Sequence, residues 1–112
     1  MPDTLTSSHA EAVAYLLDVS DVNPRVRPVY LAYLTAREEY FTACDVETAA
    51  TNALDLVDDY RREPRLAYAL VDAIASTERA IRESDAARRA WAQAYEDATG
   101  ERFPLTLYGR NG

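Results

Sequence analysis

The residues that could perform chemistry in this sequence are few, and their spacing does not bring them together. His9 is the only histidine, and no serine or cysteine stands at an interval from it that indicates a Ser/His/Asp triad or a Cys/His pair. The Glu-x-x-His pattern of di-iron helical bundles is also missing from the sequence. We therefore expect no catalytic and no metal-ligating role for His9.

Cys44 and a group of aspartates are the remaining candidates for a reactive or metal-binding site. Cys44 is the only cysteine, and it lies near the electronegative C-terminal end of a predicted helix, where the helix field disfavours a thiolate. Asp55, Asp58 and Asp59 supply carboxylates, but a Ca²⁺ site needs about six to eight converging oxygens. We expect a structural thiol and solvated carboxylates, with no catalytic residue, metal or cofactor.

The composition excludes further classes of function. Glycine-rich phosphate loops, Cys-x-x-Cys pairs and nucleophile elbows are missing, and the absence of lysine removes Schiff-base chemistry. A net charge of −7 and a pI near 4.6 argue against direct binding of nucleic acid. We expect a protein that is not an enzyme. Its lysine-free, acidic composition fits either a GC-rich genome or a high-salt cytoplasm.

The elements that would position these residues are predicted to be helices. The 112 residues, 48% of them hydrophobic and only three of them glycine, predict one folded domain. We predict an all-α fold, a compact bundle of four to five helices in residues 1–101 with an extended C-terminal tail in residues 102–112. The predicted helices cover about 8–19, 28–44, 45–62, 64–83 and 84–99, of which the last two could be continuous.

Capping residues and prolines set the predicted boundaries. Ser8 begins the first helix, Asp45 the third and Ser84 the fifth, because these residue types cap helix N-termini. Pro28 and Pro64 fall in first turns, and Gly100 is placed as the residue after the last helix. Inward-facing positions are predicted throughout the bundle: Leu16, Leu17, Val46, Ala49, Ala73, Ile74, Thr77, Ile81, Trp91 and Tyr95.

The sequence also predicts where the protein resides. The N-terminal residues lack the basic and apolar regions of a signal peptide, and no apolar run approaches the roughly 20 residues that span a bilayer. A single cysteine allows no intramolecular disulfide. We expect a cytoplasmic or virion protein that is neither secreted nor membrane-spanning.

An aromatic face on the second predicted helix is a candidate surface for binding a partner. Tyr33, Tyr40 and Phe41 share this face with Arg37. A buried guanidinium among rings pairs internally with a carboxylate or a ring face, whereas an exposed one stacked on tyrosines marks a contact with another protein. Both readings of Arg37 stay open, and Tyr33, Arg37 and Tyr40 are candidate partner-binding residues.

The last eleven residues, RFPLTLYGRNG, form a second candidate surface. Pro104 prevents a helix from restarting, and Phe103, Leu105 and Leu107 then share one side of an extended segment. Such a segment adds to a sheet edge or lies in a groove of a partner, and the alternative is that it docks back on its own bundle. We favour partner docking, through Phe103, Leu105, Leu107, Tyr108 and Arg110.

Three stretches together resemble a known family. AVAYLLDVSD, then LAYLTAREEYF, and later PRLAYALVDAIASTERA, are similar to the helical head-to-tail connector (adaptor) proteins of tailed viruses. Leu105, Tyr108 and Arg110 also resemble the leucine, tyrosine and arginine near the end of many such chains. The resemblance implies a ring of identical subunits that continues the DNA channel and docks on the portal through the C-terminal segment.

Other interaction functions stay open beside the connector. A small acidic monomeric or dimeric inhibitor or adaptor could bind a protein through the aromatic face, with its acidic third helix as a nucleic-acid mimic. A precursor peptide, with a helical leader and a modified tail, is a further alternative. All of these interpretations involve protein partners, no cofactor and no membrane.

Overall fold

The structure, a computed structural model, describes residues 2–105, with side chains from His9 onward except that of Tyr60. In this part the chain forms three α-helices, α1 (Pro2–Val22), α2 (Arg27–Asp55) and α3 (Pro64–Thr99), and a short 3-10 helix at Tyr60–Arg62. No β-strand occurs in residues 2–105. The predicted all-α class is confirmed, whereas three long helices replace the predicted four to five.

Two of the predicted helix boundaries are wrong. Asp45 lies inside α2 and Ser84 lies inside α3, where each was expected to begin a new helix. A residue type that caps helices does not end one unless glycine, proline or a competing turn interrupts the chain, and neither segment has such an interruption. Predicted helix 2 and the first part of predicted helix 3 therefore form one helix, which ends at Asp55 instead of near Arg62, and predicted helices 4 and 5 form another.

The connection between α1 and α2 is shorter than expected. Helix α1 begins at Pro2 instead of Ser8 and continues to Val22, so only residues 23–26 separate the two helices. The side-chain Oδ1 of Asn23 accepts a hydrogen bond from the backbone N–H of Arg25 at 2.9 Å. This turn ends α1, and Pro28 lies in the first turn of α2 as predicted.

Asp59 organises the connection between α2 and α3. Its carboxylate accepts a hydrogen bond from the backbone N–H of Arg61 at 3.1 Å, and its carbonyl accepts one from the N–H of Arg62 at 3.0 Å. The same carboxylate forms ion pairs with both guanidinium groups at 3.6 and 3.8 Å. Pro64 then begins α3, in agreement with the prediction.

Contacts divide the chain into two compact units. We call residues up to Leu34 together with residues from Asp85 onward the aromatic unit, and Thr35–Ser84 the hairpin unit. The predicted division into a bundle of residues 1–101 and a tail of residues 102–112 stays a prediction.

Trp91 is at the centre of the aromatic unit. Its ring centroid lies 4.9 Å from that of Tyr30, 5.0 Å from that of Tyr33 and 5.0 Å from that of Phe103. Trp91 and Tyr95 are buried, as the sequence predicted. The core cluster of this unit consists of Leu16, Val26, Trp91, Ala92, Tyr95 and Phe103.

A buried polar pair joins α1 to α3 in the same unit. The indole Nε1–H of Trp91 donates a hydrogen bond to Oγ of Ser20 at 2.8 Å, and both residues are buried. A buried donor without a partner would cost about 1–3 kcal/mol, so this bond removes a penalty in the middle of the core. Leu16 is fully buried one turn earlier, whereas Leu17, which was also predicted to face inward, is exposed.

The chain turns back after α3 and covers its own core. Gly100 has a φ of 71°, and its N–H donates to the carbonyl of Glu96 at 2.8 Å, which confirms the predicted helix end. The backbone N–H of Phe103 donates to Oε2 of Glu96 at 2.9 Å. The Phe103 ring then meets Trp91 and Tyr95 edge-on. Residues 101–105 thus return to the aromatic unit.

The hairpin unit has a much smaller buried interior. The hydroxyl of Thr77 on α3 lies 3.3 Å from the carbonyl oxygen of Ala43 on α2 and 3.0 Å from that of Ala73. Its buried side chains, among those described for residues 35–84, are Ala73, Thr77 and Ala80. The two helices therefore meet through small residues.

Several residues expected inside this unit are exposed. Val46, Ile74 and Ile81 expose 54%, 40% and 40% of their surface, and Ala49 is exposed as well. The inward assignment of these residues is wrong because the contact between the helices passes through Ala43, Ala73 and Thr77, which leaves larger side chains on its flanks.

Candidate interaction surface

The residues of the predicted aromatic face lie along one continuous helix, α2, and differ in what they contact. Tyr33 belongs to the aromatic unit, where its ring stacks on Trp91 and is half-buried. Arg37, Tyr40 and Phe41 belong to the hairpin unit. Tyr33 thus has a packing role, and the other three residues form a separate group.

The exposure and contacts of Arg37 bear on the two readings left open by the sequence. Arg37 is exposed, and its guanidinium carbon lies 5.8 Å from the centroid of the Phe41 ring, within the range of a cation–π contact. The Phe41 ring is 49% exposed and lies 5.9 Å from the ring of Tyr40. Arg37 is therefore a surface residue stacked on an exposed ring, which agrees with an interaction surface.

Tyr40 contacts the single cysteine. A hydrogen bond with the side chain of Cys44 is the largest cause that raises the pKa of the Tyr40 phenol, and the charge of Cys44 and burial add to it. Both residues are half-buried. This contact fixes the position of Cys44 in the hairpin unit.

The candidate residues of the tail fall into two groups. Phe103 is 6% exposed within the core, and Leu105 is half-buried against that core. Leu107, Tyr108 and Arg110 lie outside the described residues. Phe103 would have to leave the core to bind a partner. Partner binding by these residues stays a prediction.

Exposed apolar side chains concentrate on the hairpin unit. Seven of the eleven large exposed hydrophobic side chains in the described part of the chain lie between residues 35 and 84: Phe41, Val46, Leu56, Tyr68, Val71, Ile74 and Ile81. A concentration of large exposed apolar side chains in one part of a molecule is typical of a site of interaction with another macromolecule. Sequence reasoning missed this surface because it assigned Val46, Ile74 and Ile81 to the interior.

Each helix of the hairpin unit has an outer edge that faces away from the other helix. At 100° per residue from the contact between Ala43 and Thr77, Phe41 lies on the outer side of α2 and Val71 on the outer side of α3. We call Glu38, Phe41 and Asp45 the α2 edge, and Tyr68, Val71, Arg79 and Arg82 the α3 edge. All seven residues are exposed.

The two edges differ in charge. The α2 edge carries two carboxylates beside Phe41, and the exposed Arg37 adds one guanidinium against that ring. The α3 edge carries two guanidinium groups near Val71 and Tyr68, and the exposed carboxylate of Asp72 lies on the same side of α3 as Arg79. Within residues 9–105, none of the four charged groups that define the two edges has an ion pair. The hairpin unit thus presents two edges with exposed apolar side chains, one with a surplus of negative charge and the other with a surplus of positive charge.

His9 and the aspartates, the other candidates from the sequence, do not come together in a site. His9 is exposed, and Asp59 is engaged with Arg61 and Arg62. In the part of the chain that the structure describes, no group of three or more His, Cys, Asp or Glu side chains could hold a metal ion. None of its helices combines the length and the apolar character that crossing a membrane requires.

Comparison of this chain with protein-family models, with curated proteins and with solved structures found no match. Functional interpretation therefore depends on the residues and contacts described above. Among these, the exposed apolar side chains of the hairpin unit are the feature that packing within the chain does not explain.

Proposed function

We propose that this protein is a non-catalytic structural subunit that works by binding other protein chains. The observation that carries the proposal is the exposed apolar surface of the hairpin unit, where Phe41, Tyr68 and Val71 are 49%, 71% and 62% exposed. Large apolar side chains at this exposure gain free energy when a second protein covers them, at about 25 cal/mol per Å² of apolar area.

The specific assembly that we propose is the head-to-tail connector of a tailed virus, a ring that docks on a portal protein. The sequence resemblance supports it. The burial of Phe103 in the core supports it further, because a C-terminal segment that is already attached at Phe103 loses less conformational entropy when it binds a partner. A net charge of −7 also suits a channel that DNA passes through without binding. In this proposal the protein belongs to the virion.

Co-purification with candidate portal proteins tests this function. The full chain should form a closed ring with the portal, measured as a discrete mass by mass photometry. A chain that ends at Leu105 should keep its circular dichroism spectrum and lose portal binding. Ending the chain at Arg102 would be a poor comparison, since it removes Phe103 from the core. Monomers alone, with and without portal, would contradict the connector.

The acidic surface of α2 favours a second candidate, a small inhibitor or adaptor that imitates nucleic acid. Between Thr35 and Asp55, α2 carries five acidic residues and one arginine. Such a protein would bind its target as a monomer or dimer. A fixed complex of one or two copies per target, with release by competing DNA, would favour this function over the connector.

A further inference from the structure

The two edges of the hairpin unit are complementary to each other. The α2 edge combines Phe41 with two carboxylates, and the α3 edge combines Val71 with two guanidinium groups. Because they lie on opposite sides of the unit, one chain cannot bring them together. Two copies side by side can, and this places the apolar side chains of one edge against those of the other while opposite charges face one another.

The positions of the charges along the helices match as well. Ala43 and Thr77 lie level with each other because the Thr77 hydroxyl contacts the Ala43 carbonyl. Glu38 is five residues before Ala43, and Arg82 is five residues after Thr77, so in antiparallel helices they are also level. A neighbouring copy at the same height would therefore place its Arg82 beside Glu38.

The residues at the centre of the contact between two copies are also level along the antiparallel helices. Phe41 is level with Arg79, and Asp45 lies one helical turn from that level. The Phe41 ring already contacts the Arg37 guanidinium within the chain, so a neighbouring Arg79 at this level needs a carboxylate beside it. Asp45 lies close enough to neutralise the same arginine.

Another occupant fits less well. A basic partner would suit the α2 edge and be repelled by the arginines of the α3 edge, and an acidic partner would meet the reverse problem. Contact between two α2 edges would bring together two segments that each carry five acids and one arginine. A second copy satisfies both edges at once.

We infer that copies of this chain bind one another edge to edge, the α2 edge of one copy against the α3 edge of the next. The inference rests on the proposed structural function and adds the surface through which copies associate. Since each copy keeps one free edge, the contact is heterologous and continues beyond two subunits, to a ring if the rotation closes.

Charge reversal of each edge tests this contact in the full chain. One variant carries Glu38→Arg with Asp45→Arg, and the other carries Arg79→Glu with Arg82→Glu. Association of each variant alone should weaken by about tenfold or more, since like charges then face each other. An equal mixture should associate again beyond dimers, because every edge then meets an edge of opposite charge.

Matched controls separate this effect from net charge. Glu11→Arg with Asp18→Arg changes two exposed acids of α1 and alters the net charge as the α2-edge variant does, and it should associate as the unaltered chain does. Phe41→Ser should weaken association without any change of charge. Sedimentation velocity over a concentration series measures all variants, and circular dichroism verifies their folding.

Three outcomes would overturn the inference. If the unaltered chain forms oligomers and both reversed variants form them equally well, the edge contact is wrong while the structural function stands. If the mixture stops at dimers, the contact is isologous. If the unaltered chain stays monomeric at all concentrations, both the edge contact and self-assembly fail.

Discussion

The aromatic unit and the hairpin unit use the same two long helices in different ways. In the aromatic unit, Trp91, Tyr95 and Phe103 are all less than 7% exposed, and Ser20 satisfies the buried indole. In the hairpin unit the buried side chains, among those described, are small, and large apolar residues lie on the surface. Helices α2 and α3 therefore each combine a segment that stabilises the fold with a segment that exposes apolar surface.

Replacing one phenylalanine in each unit tests this difference between the two units most directly. Phe103→Ala removes a buried ring and should lower the free energy of unfolding by about 3 kcal/mol. Phe41→Ala removes a half-exposed ring and should cost less than about 1 kcal/mol in the monomer. Urea unfolding measures both. Equal losses would show that the two units do not differ in this way.

The Ser20 and Trp91 pair gives the next largest effect. Ser20→Ala leaves the indole N–H without a partner in the core and should cost about 1–2 kcal/mol. In a chain that already carries Trp91→Phe, the same serine change should cost much less, because no donor is left unpaired. Ser76→Ala, at an exposed position of the hairpin unit, is the control and should stay within about 0.5 kcal/mol.

Gly100 tests whether the chain direction after α3 matters to the aromatic unit. Gly100→Ala should cost about 1 kcal/mol, because an L side chain resists a φ of 71°. A Cβ at this position would meet no atom within 4 Å, so the cost is conformational and not steric. Gly100→Asn should be milder, since asparagine tolerates this region. Thermal unfolding ranks the variants, and equal midpoints would contradict the argument.

At alkaline pH we expect a smaller difference in stability between the two units, through one tyrosine in each. Burial, followed by the charge of Glu101, raises the pKa of the Tyr95 phenol in the folded state. Its contribution to stability is complete below the unfolded-chain pKa of about 10 and is lost as the pH rises through the folded-state pKa. Tyr95→Phe should therefore flatten the fall in stability above pH 10.

The matched change in the hairpin unit is Tyr40→Phe. The pKa of Tyr40 is also raised, mainly by its hydrogen bond with Cys44, but this residue is only half-buried. Its substitution should flatten the alkaline loss less than Tyr95→Phe does. Urea unfolding at a series of pH values measures both, and a larger effect for Tyr40 would reverse the order of the two units.

The sequence predicted those features of the fold that depend on local backbone chemistry. Pro28 and Pro64 lie in first turns because proline suits those positions, and Gly100 ends α3 because glycine adopts a positive φ without strain. The inward positions of Trp91 and Tyr95 followed from helical spacing. The predicted helix starts at Asp45 and Ser84 were wrong. Their residue types allow them to cap a helix, but a helix begins there only if the surrounding chain also interrupts the preceding helix.

Features that depend on distant residues could not be predicted. Phe103 is buried because it contacts Trp91, Tyr95 and the carboxylate of Glu96, and alternation along the tail contains no information on those contacts. The exposed flank with Ile74 and Ile81 depends on which face of α3 meets α2. Hydrophobic spacing gives the apolar side of a helix and does not say which part of that side a neighbour covers.

The hydrogen bond between Ser20 and Trp91 also has a consequence for the order of folding. It joins residues 71 positions apart, whereas the hairpin unit closes over a short connection within one continuous stretch. Closing a longer loop costs more chain entropy and takes longer. During synthesis all residues of the hairpin unit are therefore made before Trp91 and Phe103. Its apolar edges are exposed to neighbouring chains at a stage when the aromatic core cannot yet form, because its last residues have not been synthesised.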